Sequence, residues 1–531
     1  MSAGRARLLA GAAAVLVAGG VVVLLLAAGG DDGAGVDVVE FPTVESGSTP
    51  EPAEAAEFVG SQAPERQPNV IVMMTDDLGL TGWERGLPRT RELLAGGTEL
   101  TQAIVSTPLC CPSRATFQSG RYGHNNGILA NNPGYPVLRD KEGLLADRLQ
   151  AQGYETALVG KFMNGWDRTE AGAAGDPAPG WDEWVEMRRT YGYYDYELNV
   201  NGESQEYGSG EEDYLTDVLT GHALEVLDAA AETPEPLFMW MSWWAPHPEL
   251  SEATEGTCRG SAVPRDGEPG AFAEERLRQI DSIDEADISD KPTFLRDRRQ
   301  LRPADRRGAR DSLRCRLDSL GPVDRGVEAL LGRLAELGEL ENTVVIFTSD
   351  NGFFHLEHRL PDGKALPYEE AIRVPLVIEV PASWGRQQPR SDQPVSNIDL
   401  TPTILDLAGA CEQSGQTACG ELDGLSLLPL LSPGTPAPLR GRPLLVEAEV
   451  GKPCGFSAVR TLEYSYVEYD AVPGDQHCPP GERELYDLSA DPYQLDNLLH
   501  PSTPAPPAAV ARELRRELRR LQRCSGAACH L

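Results

Sequence analysis

Residues 109–125 read LCCPSRATFQSGRYGHN, and the run Cys110-Cys111-Pro112-Ser113-Arg114 within them governs how the rest of the chain is understood. Proline fits the first turn of a helix, where its missing N–H is no loss, so Pro112 predicts a helix running through Ala115 to Ser119. Residue 110 then stands at the positive end of that helix, a ready place for an anion. Arg114, one turn in, can reach back toward the same place. A plainer reading also fits: a buried cysteine beside a disulfide cysteine, with Arg114 in a surface ion pair. The surroundings have to choose between them.

Working outward, Val70–Met74 is a continuous apolar run and predicts a buried strand. Glu155–Val159, Leu237–Trp244 and Thr343–Thr348 predict three more. Before the last of these, Val323, Val327, Leu330, Leu331 and Leu334 follow helical spacing, and Gly338 supplies the stop. This alternation predicts an α/β domain with a large, mostly parallel sheet from Asn69 onward. Each predicted strand ends in residues capable of chemistry: Thr75-Asp76-Asp77, Gly160-Lys161, Ala245-Pro246-His247 and Ser349-Asp350-Asn351. Open α/β sheets bind ligands at the carboxyl ends of their strands. Asp76, Asp77, Asp350 and Asn351 form an all-oxygen set, which selects Ca²⁺ or Mg²⁺ over zinc or copper. The alternative is that DDLG and SDNG are ordinary turns. Lys161 and Lys364 have a surface-lysine alternative, and His247 a turn-capping one.

The chain has 531 residues and a formal net charge of −35, which excludes the basic footprint of a nucleic-acid binder. Arg5 and Arg7 precede an apolar stretch, Leu8 to about Ala28, so residues 1–30 predict a signal peptide or a membrane anchor. Export to an oxidising compartment agrees with ten cysteines. Local pairs Cys411–Cys419, Cys454–Cys478 and Cys524–Cys529 are expected, with Cys258–Cys315 the remaining one. Residues 31–67 predict a flexible acidic tether and 68–431 the catalytic domain. The Pro/Gly-rich stretch 432–443 opens a smaller C-terminal domain, 432–531. That domain closes with a basic amphipathic helix over Ala508–Arg523, and Leu514, Leu518 and Leu521 give it a docking face. The arginine-rich part of Glu274–Arg316 reads as solvated helices or an insertion over the cleft.

The stretches NVIVMMTDDLG, STPLCCPSRATFQSGRYGHNNG, VGKFMNGW, WAPHPE, VVIFTSDNGF, GKALPYEEAIRVPLV and ELYDLSADPYQLDNL, in this order, resemble the sulfatases, and within them the N-acetylglucosamine-6-sulfatase branch. The resemblance runs from about Asn69 to Leu499. It implies an alkaline phosphatase-like fold, a helix-sandwiched sheet followed by a small C-terminal α+β domain. It implies that a formylglycine-generating enzyme converts Cys110 to formylglycine, whose hydrated aldehyde is a nucleophile that regenerates itself. By the same resemblance Asp76, Asp77, Asp350 and Asn351, with residue 110, hold Ca²⁺ (Mg²⁺ being the second choice). Arg114 stabilises the diol, Lys161 contacts diol and sulfate, His247 is the general acid, and Lys364 binds the sulfate.

Two departures from the pattern stand out. The histidine that many sulfatases carry two residues after the first lysine is replaced by Met163, followed by Asn164, a substrate-binding candidate as is His358. The Leu-Thr-Gly end of the signature is Gln118-Ser119-Gly120. The expected function is a secreted or surface-anchored hydrolase of a sulfated carbohydrate, with 6-sulfated N-acetylglucosamine the substrate to which the resemblance points. Phosphodiester or phosphonate hydrolysis on the same scaffold, and a non-catalytic glycan-binding protein, are the alternatives.

Overall fold

The computed structural model describes residues 66–531, with gaps at 189–191, 250–256, 269, 412–418, 434–438, 450–453, 504–506 and 531. Of residues 1–65 it gives only a backbone hairpin pairing Ala14–Ala18 with Val21–Leu25. The predicted signal or anchor and the tether otherwise lie outside the described residues.

Ten strands form the main sheet: β1 (Asn69–Thr75), β2 (Thr98–Ile104), β3 (Glu155–Gly160), β4 (Glu183–Arg188), β5 (Glu197–Val200), β6 (Glu203–Glu206), β7 (Leu237–Ser242), β8 (Thr343–Ser349), β9 (Leu376–Glu379) and β10 (Arg390–Ser396). Their order is β10-β2-β9-β8-β1-β7-β3-β4-β5-β6. The four strands predicted from apolar runs, β8, β1, β7 and β3, are consecutive and mutually parallel at its centre. Both faces of such strands are covered, and for that reason they read as unbroken apolar runs. Val70, Val72 and Met74 of β1 join one buried cluster, while Ile71 and Met73 join the cluster on the opposite face.

Register is what builds the site. Ser349 pairs with Thr75, Met74 with Ser242, and Ser242 with Gly160. The residues that come next, Asp350, Asp76 and Lys161, therefore leave the sheet at one level, and the turn after β7 brings His247 round.

Among the helices that pack against the faces of the sheet are α1 (Cys110–Ser119), α2 (Leu215–Ala230) and α3 (Pro303–Leu337). Helix α1 is buried along its whole length and ends at Gly120, whose φ of 63° suits glycine. Helix α3 ends at Gly338, φ 74°, as the sequence predicts, but begins far earlier than Val323. The arginines of Glu274–Arg316 are partly or fully exposed, as the solvated reading expects, except for Arg316. The segment's last turns continue as the core helix, with Leu313, Leu317 and Leu320 packed beneath the sheet and Arg316 buried among them.

The C-terminal unit is an antiparallel meander of Leu444–Ala448, Phe456–Arg460, Tyr464–Tyr469 and Arg483–Asp487. On one face it buries Leu514, Leu518 and Leu521 of the final helix, Ala508–Leu521. On the other, Leu444, Val446 and Tyr486 share a core with Ile104, Phe354 and Tyr368 of the main unit. The basic helix thus docks by its leucine stripe, while Arg515 and Arg519 pair with Glu468. All four expected disulfides form, and among the described residues Cys110 and Cys111 stay free. No helix among the described residues is long and apolar enough to cross a membrane.

Candidate active site

At the carboxyl edge of β1, β3, β7 and β8 the side chains of Asp76, Asp77, Cys110, Arg114, Lys161, His247, Asp350, Asn351 and Lys364 converge. Asp76, Asp77, Arg114, Asp350 and Asn351 are all buried. Ligand atoms of Asp76, Asp77, Cys110 and His247 lie within 4.8 Å of one another, near enough to share a metal ion. Asp350 belongs to the same cluster through its hydrogen bonds: Oδ1 accepts the Asp77 backbone N–H at 3.1 Å and Oδ2 accepts Arg114 Nε at 2.8 Å. Asn351 Nδ2 donates to Asp77 Oδ1 at 2.6 Å. The sequence reading differs in two respects: it did not place the His247 ring among the potential ligands, and it counted Asp350, which lies outside this group of four.

Three buried carboxylates, Asp76, Asp77 and Asp350, face three cations, Arg114, Lys161 and Lys364. Lys161 bonds Asp76 Oδ2, and Lys364 bonds Asp77 Oδ1 while standing 2.7 Å from Cys110 Sγ and 3.4 Å from Asn351 Oδ1. Cys110 Sγ is 3.5 Å from Asp76 Oδ1. The donor set fits a hard divalent ion: carboxylate and amide oxygens at the end of a rigid sheet. With the fixed charges already balanced, such an ion leaves the pocket net positive, the state an anionic ester requires.

These placements set the protonation states. Burial opposes charge on Asp76, but Lys161, His247, Arg114 and Lys364 outweigh it and hold the carboxyl well below the usual range. Burial pushes the Cys110 thiol up to about 12, with Asp76 adding to the effect. Lys364 also resists burial, kept protonated by Asp77 and Cys110. Burial pushes His247 down to about 4, so the ring is neutral at pH 7. Its Nδ1 is 2.6 Å from the Pro248 carbonyl, which accepts from it, leaving Nε2 as the lone-pair side, 3.7 Å from Asp77 Oδ2. Trp244 floors this corner, 4.0 Å from the His247 ring and 4.7 Å beneath Lys161 Nζ.

Three contributors were given no role of their own by the sequence reading. Ser242, the last residue of β7, receives Arg114 Nη1 at 2.6 Å and so aims the guanidinium. Ser349 Oγ accepts the Leu78 N–H at 2.9 Å and shapes the turn after β1. Arg316 donates Nη2 to the Asp77 carbonyl at 2.5 Å and lies 3.7 Å over the Phe353 ring. Asp77 has a φ of 68°, a conformation unfavourable for a residue with a side chain, and Arg316 buttresses it. The available signal was phase: position 316 falls three residues after Leu313 and four before Leu320, on the face that packs.

Of the two substrate-binding candidates, one behaves differently. His358 does not line the cleft: it is fully buried, with Nδ1 2.7 Å from Glu285 Oε2, Nε2 3.8 Å from Glu370 and its ring stacked on Tyr368 at 4.3 Å. Its loop turns the ring inward, where two carboxylates give it a structural role. Asn164 lies in the stretch after Lys161; its carbonyl accepts from Cys111 Sγ at 3.6 Å, and its side-chain Oδ1 is buried with no hydrogen-bond partner.

Residues 68–410 match the sulfatase family profile, and 356–524 match that of the N-sulphoglucosamine sulphohydrolase C-terminal region. The chain belongs to the sulfatase family. This sulfatase is 29% identical to the N-acetylglucosamine-6-sulfatase of Homo sapiens over 506 residues, covering 88% of the chain and 87% of the relative. The goat protein of the same name is likewise 29% identical, over 88% of the chain and 86% of its own length. Among solved structures, one in complex with D-glucosamine-2-N,6-O-disulfate shares the sulfatase's fold, with a TM-score of 0.64 and 22% identity over 86% of this chain and 97% of that one. A phosphonate monoester hydrolase from Silicibacter pomeroyi shares it equally, with a TM-score of 0.63 and 22% identity over 87% and 96%.

Proposed function

We propose that the sulfatase hydrolyses the sulfate ester of a sugar, a 6-sulfated N-acetylglucosamine being the leading substrate, with residue 110 as nucleophile after conversion to formylglycine. The single observation that carries this reading is the convergence of Cys110 with three carboxylates, two lysines, an arginine and a histidine at one sheet edge. The N-acetylglucosamine-6-sulfatases among its relatives support the choice of sugar. Asp76, Asp77, Asp350 and Asn351, with residue 110, would hold Ca²⁺ ahead of Mg²⁺. A bound divalent ion supplies Lewis-acid polarisation of a sulfate oxygen and favours an ionised hydroxyl on residue 110.

This chain's own residues then account for binding and proton movement. Lys161 and Lys364 hold the sulfate oxygens from two sides, and Arg114, fixed by Asp350 and Ser242, steadies the hydroxyl of residue 110. A hydroxyl of the hydrated residue 110 attacks sulfur, and the bond from sulfur to the sugar oxygen breaks. The departing oxygen needs a proton, and His247, at the same sheet edge, is the group that would supply it. Since burial leaves His247 neutral, it must first take a proton at Nε2, which the negative charge of an arriving sulfate ester favours. The second hydroxyl of residue 110 then gives its proton to His247, neutral again after protonating the sugar oxygen; the aldehyde C=O re-forms as the bond from its carbon to the sulfate-bearing oxygen breaks, and sulfate leaves.

Phosphodiester or phosphonate hydrolysis is the second reading, favoured by the shared fold of the phosphonate monoester hydrolase. Rates on 4-nitrophenyl sulfate and on a nitrophenyl phosphodiester separate the two: a large preference for the phosphorus ester ends the sulfate reading. Mass spectrometry of the peptide containing residue 110 tests the conversion. The apolar stretch at residues 8–28 supports export, to the medium or to the outer face of the membrane, and fractionation of the native host checks it.

A further inference from the structure

The stretch Lys161–Asn164 has a second neighbour besides the sulfate site. Strand β4 runs parallel to β3, with Glu186 opposite Gly160, the residue before Lys161. Glu186 therefore reaches the same sheet edge as the catalytic candidates. It is buried, only 5% exposed, and its Oε2 has no hydrogen-bond partner among the described residues. Trp184 and Asn199 stand near enough to ease its charge, but neither closes a bond to Oε2. Together with Lys161, Asn164, Asp167 and Met187 it lines a narrow cavity with room for about one water-sized group. The Oδ1 of Asn164, across the same cavity, is unpartnered too. Asn164 and Asp167, on its lining, are partly exposed.

Leaving a buried polar atom unpaired costs about 1–3 kcal/mol, so two such atoms on one small cavity mark a place built for something else to bond. Its nearest neighbours along β4, Trp184, Val185 and Met187, are apolar and buried, and the Arg188 guanidinium two residues on favours its carboxylate form. The occupant's chemistry is set by the lining. The unpartnered atoms on it, Glu186 Oε2 and Asn164 Oδ1, are oxygens, and Lys161, the cation of the lining, already bonds Asp76, so the cavity suits a ligand group with N–H or O–H donors. It disfavours a second sulfate. Burial pushes the Glu186 carboxyl up to about 8, and an occupant with a cationic or N–H donor group draws out its carboxylate, acceptor form.

We propose that Glu186 and Asn164 form a donor-binding wall beside Lys161 that receives a hydroxyl or ammonium group of the substrate sugar, which makes Glu186 a specificity-determining residue. This rests on the reading of the chain as a sugar sulfatase. It deepens that reading by predicting a preference for sugars that carry a free hydroxyl or amine, rather than a second sulfate, next to the reacting ester.

The test separates binding from turnover. In a Cys110→Ala background, calorimetry of glucosamine 6-sulfate should show about tenfold weaker binding when Glu186→Ala is added, and near-complete recovery with Glu186→Gln, which keeps an acceptor. Asn164→Ala should produce a similar loss, and it covers the case in which Glu186→Ala does not fold. In the active enzyme, the ratio of kcat/KM for glucosamine 6-sulfate to that for 4-nitrophenyl sulfate should fall by about tenfold in Glu186→Ala. The advantage of glucosamine 6-sulfate over its 2-N,6-O-disulfate should shrink with it. Unchanged affinity and an unchanged ratio in both alanine variants would overturn the inference. If wild-type enzyme cleaved no sulfate ester, the sugar-sulfatase reading would fall, and the binding measurement would still decide the role of Glu186.

Discussion

Cys110 and Cys111 are adjacent, both buried and both free, yet they should answer mutation in opposite ways. Successive residues on a helix point about 100° apart. Cys110 Sγ is thereby aimed at Lys364 Nζ, 2.7 Å away, and Asp76 Oδ1, 3.5 Å away, whereas Cys111 Sγ turns to the Asn164 carbonyl, 3.6 Å away, inside an apolar cluster. Replacing Cys110 by alanine removes the nucleophile, so kcat/KM on 4-nitrophenyl sulfate should drop by about 10⁴-fold or more. Replacing Cys111 removes one buried sulfur and a weak hydrogen bond, which costs roughly 1–2 kcal/mol of stability. That lowers Tm by no more than about 4 °C. Activity should stay within about threefold of wild type, since a buried sulfur facing away supplies no transition-state contact. The assay needs kcat/KM, a thermal melt and mass spectrometry at position 110 for each variant. Equal loss in both variants, or persisting turnover in Cys110→Ala, would show that the nucleophile is misassigned.

The same geometry sets three further outcomes. Stripping divalent ions with a chelator should abolish activity and lower Tm, and Ca²⁺ at about 100-fold over its Kd should restore both, with a linkage of about 2.7 kcal/mol; Asp350→Asn should blunt that restoration in a melt. Arg316→Met should lower kcat/KM by about 10–100-fold by loosening the Asp77 backbone, with Arg316→Lys partly restoring it, and wild-type kinetics in the methionine variant would reject the buttress. His358 is held up to about 9 because, although burial opposes its charge, Glu285 and Glu370 outweigh that. Its folded value thus exceeds the ordinary 6.5, so its contribution is full below about pH 6.5 and is lost as pH rises through about 9, up to about 3 kcal/mol in all. Urea melts across that window should show wild type losing stability more steeply than His358→Gln, and parallel slopes would refute the assignment.

The sequence alone determined the four central strands, because strands buried on both faces must be apolar throughout and cannot disguise the fact. It also determined that carboxylates, an amide, a lysine and a histidine lie just beyond those strands, since strand ends on a parallel sheet are where chemistry collects. Helix α1 and the four disulfides were legible for similarly local reasons: a proline in the first turn, a glycine at the end, and short spacings between most of the cysteine pairs. The tertiary structure alone decided which way each side chain turned. Register between β1, β3, β7 and β8 brought Asp76, Lys161 and Asp350 level. Phase on a helix longer than its apolar signal buried Arg316 under Asp77. Loop curvature turned His358 away from the cleft. Glu186 became visible only once β4 was paired beside β3, because a single glutamate in a strand carries no local mark of the cavity it will face. Contacts between segments far apart in the chain are set by packing, and packing is a property of the whole fold.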